Sequence, residues 1–312
     1  MQVTIWGTGA MACLFTARFA LSGIARITML GTWTEAVYAV RRDGIRIDDA
    51  AGTRIAKGAV ADATAFDAKF YYEPSPAADL AIVLVKSWQI PRVAGLLEKN
   101  LKPDGLVVSL QNGLGNVEAL GSRTFPGVTF EGATLIAPGH VAHRGSGVTY
   151  IAASEKIVEL FRRAGFDAQR CAPEKAESLI WGKLVVNCGI NALTALRGVR
   201  NGELLKQKSA ADLMEKAALE CAAVARAKDV ELPYDDPVAE VRETARRTAE
   251  NMSSMLSDVL RGAPTECDAI NGAVVREGKR LGIPVPVNEA LLKAVRLKAN
   301  ARGKHCAFTL RQ

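Results

Sequence analysis

The first half of the chain alternates short apolar runs with segments in which apolar residues recur at a helical period. Apolar runs without polar alternation are typical of strands buried on both faces, as in a parallel sheet. The predicted strands are residues 3–6, 27–31, 79–85, 105–110, 129–136 and 148–151. Residues 44–70 are expected to be a loop and β-rich section, and residues 138–147 a turn between strands.

From about residue 170 onward, apolar residues recur at a helical period almost throughout. The predicted helices are residues 174–191, 203–228, 238–260, 266–281 and 288–300. The pattern therefore predicts an α/β fold class, in which an N-terminal Rossmann-like doubly wound sheet (residues 1–170) is followed by an all-α C-terminal domain (residues 171–312). A substrate would be held in the cleft between such domains.

The first predicted strand runs into a glycine turn that opens a helix. The turn consists of Gly7, Thr8, Gly9, Ala10, Met11 and Ala12. The glycines let the backbone approach a pyrophosphate, and the helix offers free N–H groups and the positive end of its dipole. Because strand, turn and helix occur in the required order, the first domain is predicted to bind a dinucleotide.

The residue after the second strand usually selects the cofactor. An acid there holds the ribose 2′-hydroxyl of NAD, and an arginine accommodates the 2′-phosphate of NADP. Thr32 stands at this place, so no negative charge repels a 2′-phosphate. Arg41 and Arg42 follow on the next helix, where they either reach the phosphate or simply face water. We predict NADPH as the cofactor and keep NADH as the alternative.

Two polar residues come directly after buried strands of the predicted sheet. Lys86 follows the strand at 79–85, and Asn112 follows the strand at 105–110. Open α/β sheets bind ligands at the carboxyl ends of their strands, so both side chains are predicted to meet the cofactor or the reacting centre. The alternatives are a solvated lysine and an asparagine that stabilises its own turn.

One predicted helix carries a polar stripe on an otherwise apolar surface. Lys183, Asn187 and Asn191 are spaced at i, i+4 and i+8, which places them on one face of a helix. Buried polar groups need partners. The stripe therefore either packs against polar backbone, with the asparagines capping neighbouring segments, or lines a ligand cavity.

Acidic residues follow a second helix-start signal, formed by Pro264 and Thr265. Glu266 and Asp268 would lie in the first turn of the predicted helix 266–281, where acids interact favourably with the helix dipole. That explanation suffices for Asp268. For Glu266 a second interpretation is open, in which its carboxylate is the charge partner of Lys183.

Composition excludes several classes of function. The hydrophobic content of 49%, the charged content of 23% and the net charge of +7, which is scattered, are typical of a soluble protein with an anionic ligand and not of a nucleic-acid binder. Six cysteines without CxxC spacing and three histidines predict reduced thiols in a cytoplasmic protein, with no metal site. The longest apolar runs are too short to cross a membrane, and no signal peptide is expected.

Six motifs, taken in chain order, resemble the ketopantoate reductase (2-dehydropantoate 2-reductase) family. They are Gly7-x-Gly9-x-x-Ala12, Val85-Lys86-Ser87, Gln111-Asn112-Gly113, Lys183-x3-Asn187-x3-Asn191, Ser253-Ser254-Met255 and Thr265-Glu266-x-Asp268-x-x-Asn271-Gly272. The resemblance covers nearly the whole chain. It implies NADPH-dependent reduction of the small 2-oxo acid 2-dehydropantoate to (R)-pantoate, a step toward pantothenate and coenzyme A.

The resemblance also implies roles for individual residues. Lys183 matches the catalytic lysine, and Glu266 matches the acid that binds the substrate hydroxyl and helps to set the lysine. The substrate-binding positions are Asn112, Asn187, Asn191 and Ser254. The cofactor-binding positions are the glycine turn from Gly7 to Ala12 together with Thr32, Lys86, Asn112 and Glu266. Many members of the family carry arginine where this chain has Thr32.

Ketone reduction requires a hydride and a proton on the developing alkoxide. A partly desolvated lysine has a lowered pKa and can serve as general acid while its charge stabilises the oxyanion. We hypothesise that Lys183 donates the proton, and that Ser254 takes the substrate carboxylate. A D-2-hydroxyacid dehydrogenase of the same fold and a non-catalytic dinucleotide-binding sensor are the alternatives. A homodimer is one assembly open to the chain.

Overall fold

The computed structural model describes residues 1–57, 64–65 and 77–309, and it describes side chains for residues 1–57 and 77–299. By its internal contacts the chain divides into two compact units. The α/β unit comprises Met1–Gln111 and Asn116–Ala176, and the helical unit comprises Asn112–Gly115 and Glu177–Gln312. A parallel α/β unit and a helical unit confirm the predicted fold class.

The strands belong to the α/β unit. They are β1 (Gln2–Trp6), β2 (Arg26–Gly31), β3 (Ile45–Asp49), β4 (Gly52–Ala56), β5 (Thr64–Ala65), β6 (Ala78–Val83), β7 (Leu101–Ser109), β8 (Thr124–Thr129), β9 (Gly132–Ala137), β10 (His140–Gly145), β11 (Thr149–Ile151) and β12 (Ala168–Arg170). The larger sheet has the order β12-β11-β8-β7-β6-β1-β2-β5, and a smaller sheet has the order β4-β3-β10-β9.

Strand β1 lies at the point where the winding of the larger sheet reverses. It pairs in parallel with β2 on one side and with β6 on the other, so that Trp6 is in register with Leu30 and with Val83. The carboxyl ends of these three strands therefore lie side by side. Ligands of doubly wound sheets bind at such a reversal.

The helices connect the strands of the α/β unit and build the whole helical unit. They are α1 (Ala10–Ser22), α2 (Thr34–Asp43), α3 (Ile90–Asn100), α4 (Asn116–Leu120), α5 (Glu155–Arg163), α6 (Pro173–Arg197), α7 (Lys208–Arg226), α8 (Pro237–Arg247), α9 (Ser254–Leu260), α10 (Asn271–Leu281) and α11 (Pro286–Thr309). Two short 3-10 helices span Ser87–Gln89 and Asn201–Lys206.

Each unit has its own apolar core. In the α/β unit, Phe15 and Phe19 of α1 pack against Phe161 and Phe166, and the rings of Phe15 and Phe166 stack with 4.1 Å between their centroids. In the helical unit, α6 is the central helix. Among the described residues it alone has the length and apolar composition of a membrane-crossing helix, but 72% of its most apolar stretch is buried inside the protein.

The predicted turn at 138–147 is wrong, because most of it is strand β10. The turn itself is tighter, and Gly139 makes it with a φ of +70°. Strand β10 forms a hairpin with β9 and also pairs in parallel with β3, which lies far earlier in the chain. The predicted strand at 129–136 is in fact two strands, since β8 ends at Thr129 and β9 begins at Gly132.

Two predicted helices are also wrong at their boundaries. The predicted helix 238–260 is divided into α8 and α9, because the Ser253 hydroxyl accepts the Leu256 N–H at 3.1 Å and starts a new helix. The predicted helix 266–281 begins only at Asn271. The turn before it is closed by the Ala269 and Ile270 N–H groups, which donate to the Glu266 carbonyl at 3.0 Å.

Candidate active site

The glycine turn has the geometry predicted for it. Gly7 has a φ of +127°, and a Cβ there would lie 3.1 Å from the Leu84 carbonyl oxygen and 3.2 Å from the Ala12 Cβ. Gly9 is exposed, and apart from its chain neighbours no atom of the described residues lies within 4 Å of the place where a Cβ would stand. The first turn of α1 has no acidic residue and no side-chain cap. The N–H groups at the start of α1 are thus available to an anion.

The segments that flank the glycine turn are tied to each other by Gln89. The Gln89 Nε2 donates to the Thr32 hydroxyl at 3.1 Å, and the Gln89 Oε1 accepts the Lys86 N–H at 3.3 Å. Thr32 follows β2 and Lys86 follows β6, the two neighbours of β1. Gln89 was missed from the sequence because its role depends on this strand order.

Residues 112–115, which follow β7 and Gln111, belong to the helical unit. Gly113 has a φ of +85°, and a Cβ there would collide with the Ala269 carbonyl. The Leu114 N–H donates to the same carbonyl at 3.3 Å. The predicted site residue Asn112 is therefore placed next to a segment that contacts the turn carrying Glu266.

The predicted polar stripe lies on α6, and two of its side chains have no hydrogen-bond partner among the described residues. Lys183 and Asn187 are half-buried, and Asn191 is only 6% exposed. Within the described part of the chain, the side-chain amides of Asn187 and Asn191 have no hydrogen-bond partner. An amide without a protein partner binds water or a ligand, so these two are poised for a ligand or for water. Neither amide caps a described segment, which is the alternative interpretation.

Lys183 lies within the electrostatic influence of Glu266. Burial lowers the pKa of Lys183 from 10.5 to about 8, and the negative charge of Glu266 opposes that shift. Glu266 is only 5% exposed. An ammonium with a pKa near neutrality, beside a buried carboxylate, is suited to give up a proton.

The acids at 266 and 268 do not lie in a helix, so the helix-dipole explanation is wrong for both. Asp268 instead forms an ion pair with Arg296 of α11, whose Nε donates to Asp268 Oδ1 at 3.0 Å. A groove of about 630 Å³ adjoins Arg296 between α10 and α11, and it is also lined by Arg276, Lys279 and Lys293. Its lining contains none of the predicted site residues.

Ser254 is the exposed first residue of α9. Its buried neighbour Ser253, which was not predicted as a site residue, caps α9 and lies 2.7 Å from the hydroxyl of Thr194 on α6. Thr194 was missed as well. A threonine in an apolar helix is an uninformative signal, and only the packing of α9 on α6 reveals its contact.

Both halves of the chain match sequence profiles of one family. Residues 3–156 match the profile described as ketopantoate reductase PanE/ApbA, and residues 175–299 match the profile of its C-terminal part. The 2-dehydropantoate 2-reductase of Archaeoglobus fulgidus is 35% identical over 95% of this chain and 97% of its own length. The enzyme of the same name from Halobacterium salinarum is also 35% identical, over 95% and 98%.

Solved structures agree with these matches. The PanE/ApbA family ketopantoate reductase from Ralstonia eutropha has a TM-score of 0.86 at 30% identity, over 97% of this chain and 99% of the other. D-mandelate dehydrogenase with NADH and anilino(oxo)acetate has a TM-score of 0.87 at 24% identity over the same shares, a likeness of fold alone. On the matched profiles and relatives, the chain belongs to the ketopantoate reductase family of oxidoreductases.

Proposed function

We propose that the protein reduces 2-dehydropantoate to (R)-pantoate with NADPH, a step of pantothenate and coenzyme A synthesis, with Lys183 as the general acid. The observation that carries the proposal is the face of α6, where the Lys183 ammonium is followed by the amides of Asn187 and Asn191, which have no hydrogen-bond partner among the described residues. A 2-oxo acid needs such groups, namely a proton donor for its carbonyl and hydrogen-bond donors for its oxygens.

In this proposal residues 1–170 hold the dinucleotide, and residues 171–312 supply the groups that bind and protonate the substrate. The glycine turn suits a pyrophosphate, because Gly9 faces open space and α1 begins without an acid. Thr32 and Lys86 follow the strands on either side of β1, so they would contact the cofactor beside the turn. Asn112 and Glu266 complete the proposed cofactor contacts. When bound, the reduced nicotinamide supplies the hydride.

Lys183 has two tasks in the proposed reaction. As an ammonium it donates a hydrogen bond to the substrate carbonyl and stabilises the negative charge that develops on that oxygen. It then gives the oxygen its proton, which the lowered pKa of about 8 favours. Glu266 holds the ammonium in place by its charge and accepts a hydrogen bond from the substrate hydroxyl.

The remaining polar groups bind and orient the substrate. The amides of Asn187 and Asn191 would donate to oxygens of the 2-oxo acid, Ser254 would donate to its carboxylate, and Asn112 would bind the substrate as well. Substrate binding would give the Asn191 amide the partner that it lacks within the described residues. An amide without a protein partner, on a residue that is only 6% exposed, favours a polar ligand over an apolar one.

The test is the loss of nicotinamide absorbance when purified protein is mixed with 2-dehydropantoate and either NADPH or NADH. Oxidation of NADPH that depends on 2-dehydropantoate would support the proposal. Cofactor binding without turnover of any 2-oxo acid would contradict it and favour a non-catalytic sensor of dinucleotides.

A second candidate is reduction of other 2-oxo acids with NADH, as in a D-2-hydroxyacid dehydrogenase. Thr32 favours it, because this residue brings no positive charge to a 2′-phosphate and its hydroxyl is engaged by Gln89. Turnover with NADH alone, or only with 2-oxo acids other than 2-dehydropantoate, would select this candidate. The role proposed for Lys183 is the same in both.

A further inference from the structure

A continuous chain of hydrogen bonds joins α9 to α6 in the interior of the helical unit. The Ser253 Oγ accepts the Leu256 N–H at 3.1 Å and lies 2.7 Å from the Thr194 Oγ1. The Thr194 Oγ1 lies 2.9 Å from the Ile190 carbonyl oxygen and 3.0 Å from that of Asn191. Thr194 is fully buried and Ser253 is 6% exposed.

Which hydroxyl donates in this series of hydrogen bonds follows from the number of hydrogen atoms. A backbone N–H can only donate and a carbonyl can only accept, while each hydroxyl has one hydrogen. If Ser253 donates to Thr194, then Thr194 can donate to the carbonyls of Ile190 and Asn191, and every hydrogen is used. In the reverse arrangement the Ser253 hydrogen loses its partner, which is unfavourable in a buried position.

The two ends of this hydrogen-bond series lie beside residues of the proposed substrate site. Asn191 stands at one end on α6, and Ser254 follows Ser253 at the start of α9. We propose that Thr194 is a positioning residue for the substrate, because its hydroxyl fixes the distance between the Asn191 amide and Ser254. This inference rests on the proposed function, since it takes both residues as substrate ligands.

A second set of contacts holds the same segment without Thr194. The Asn201 N–H donates to the Asn251 carbonyl at 3.0 Å, and the Gly202 N–H donates to the Ala249 carbonyl at 3.1 Å. The chain before Ser253 therefore remains attached when the Thr194 hydroxyl is removed. Loss of that hydroxyl should shift Ser254 relative to Asn191 without unfolding the unit.

The test compares Thr194→Val, which keeps the shape but loses the hydroxyl, with Thr194→Ser, which keeps the hydroxyl. We expect Thr194→Val to raise the KM for 2-dehydropantoate on the order of tenfold or more, because small displacements of binding groups are costly. The Kd for the dinucleotide should not change, and Thr194→Ser should behave as wild type. The matched control is Thr124→Val in the α/β unit, since the buried Thr124 hydroxyl has no hydrogen-bond partner among the described residues.

Ser253→Ala should raise the KM at least as much as Thr194→Val, because it removes the same link and also the cap of α9, and the double variant should be no worse than Ser253→Ala alone. This pair keeps the test valid if one variant does not fold. A lower melting temperature with wild-type KM in both variants would overturn the positioning role. If the wild type reduces no 2-oxo acid, the proposed function itself fails, and the positioning role fails with it.

Discussion

The glycine turn and the face of α6 are both suited to charged ligands, but they are built in opposite ways. The turn is made of backbone, through the left-handed φ of Gly7 and the free N–H groups of α1. The face of α6 is made of side chains: Glu266 acts on the charge of Lys183, and we propose that Thr194 positions Asn191 relative to Ser254. A backbone site depends on local conformation, whereas a side-chain site depends on distant neighbours. Substitutions should therefore separate the two sites.

The largest effect is expected from Lys183→Ala. Removal of the general acid should lower kcat by about 10²–10⁴, with the dinucleotide Kd unchanged because the glycine turn is intact. Lys175→Ala is the matched control, since Lys175 is an exposed lysine at the start of the same helix. Steady-state kinetics of the two variants measure the difference. Near-wild-type kcat in Lys183→Ala would remove the lysine from the chemistry.

The next effect is expected at the glycine turn. Gly7→Ala requires a left-handed φ of +127° and places a methyl group 3.1 Å from the Leu84 carbonyl, so strain should lower both stability and dinucleotide affinity, the latter by about ten- to a hundredfold. The methyl group of Gly9→Ala would meet no described residue other than its chain neighbours within 4 Å, so this variant should lose affinity for the dinucleotide at an unchanged melting temperature. Fluorescence titration and thermal unfolding measure these effects. An equal loss of melting temperature in both variants would contradict the claim that the turn depends on the left-handed φ of Gly7.

A smaller effect is expected from Asn191→Ala. Loss of an amide that donates to a charged substrate should raise KM on the order of tenfold, while the protein should keep its stability, because no hydrogen bond within the described residues is lost. Initial rates over a range of substrate concentrations test this. A large loss of stability without a change in KM would instead make Asn191 a structural residue.

The smallest effect is expected from Thr32→Arg. A partly exposed arginine should favour NADPH over NADH by up to about fivefold, which is the range of exposed ion pairs. The ratio of kcat/KM for the two cofactors measures it. A shift toward NADH would mean that residue 32 does not adjoin the 2′ position of the ribose.

Much of the fold and part of the site could be predicted from sequence, for physical reasons. The strands around β1 are continuous apolar runs, and the glycine turn is a local motif whose geometry needs only its own residues. The spacing of Lys183, Asn187 and Asn191 placed them on one face because the helical period fixes it. The break at Ser253 could not be predicted, because the apolar periodicity continues across it. Gln89 and Thr194 act through partners that only the tertiary structure supplies.

The most direct test of the central claim is the pH dependence of a single turnover of bound NADPH by the wild type and by Lys183→Ala. Lys183 has a lowered pKa of about 8, so the ammonium is present below that pH and is lost as the pH rises through it. We predict that the wild-type rate falls about tenfold per pH unit above 8, and that the residual rate of Lys183→Ala lacks this dependence. A fall of the rate above pH 8 in both proteins would contradict the role of Lys183 as general acid. A wild-type rate that stays constant from pH 8 to 10 would contradict it as well.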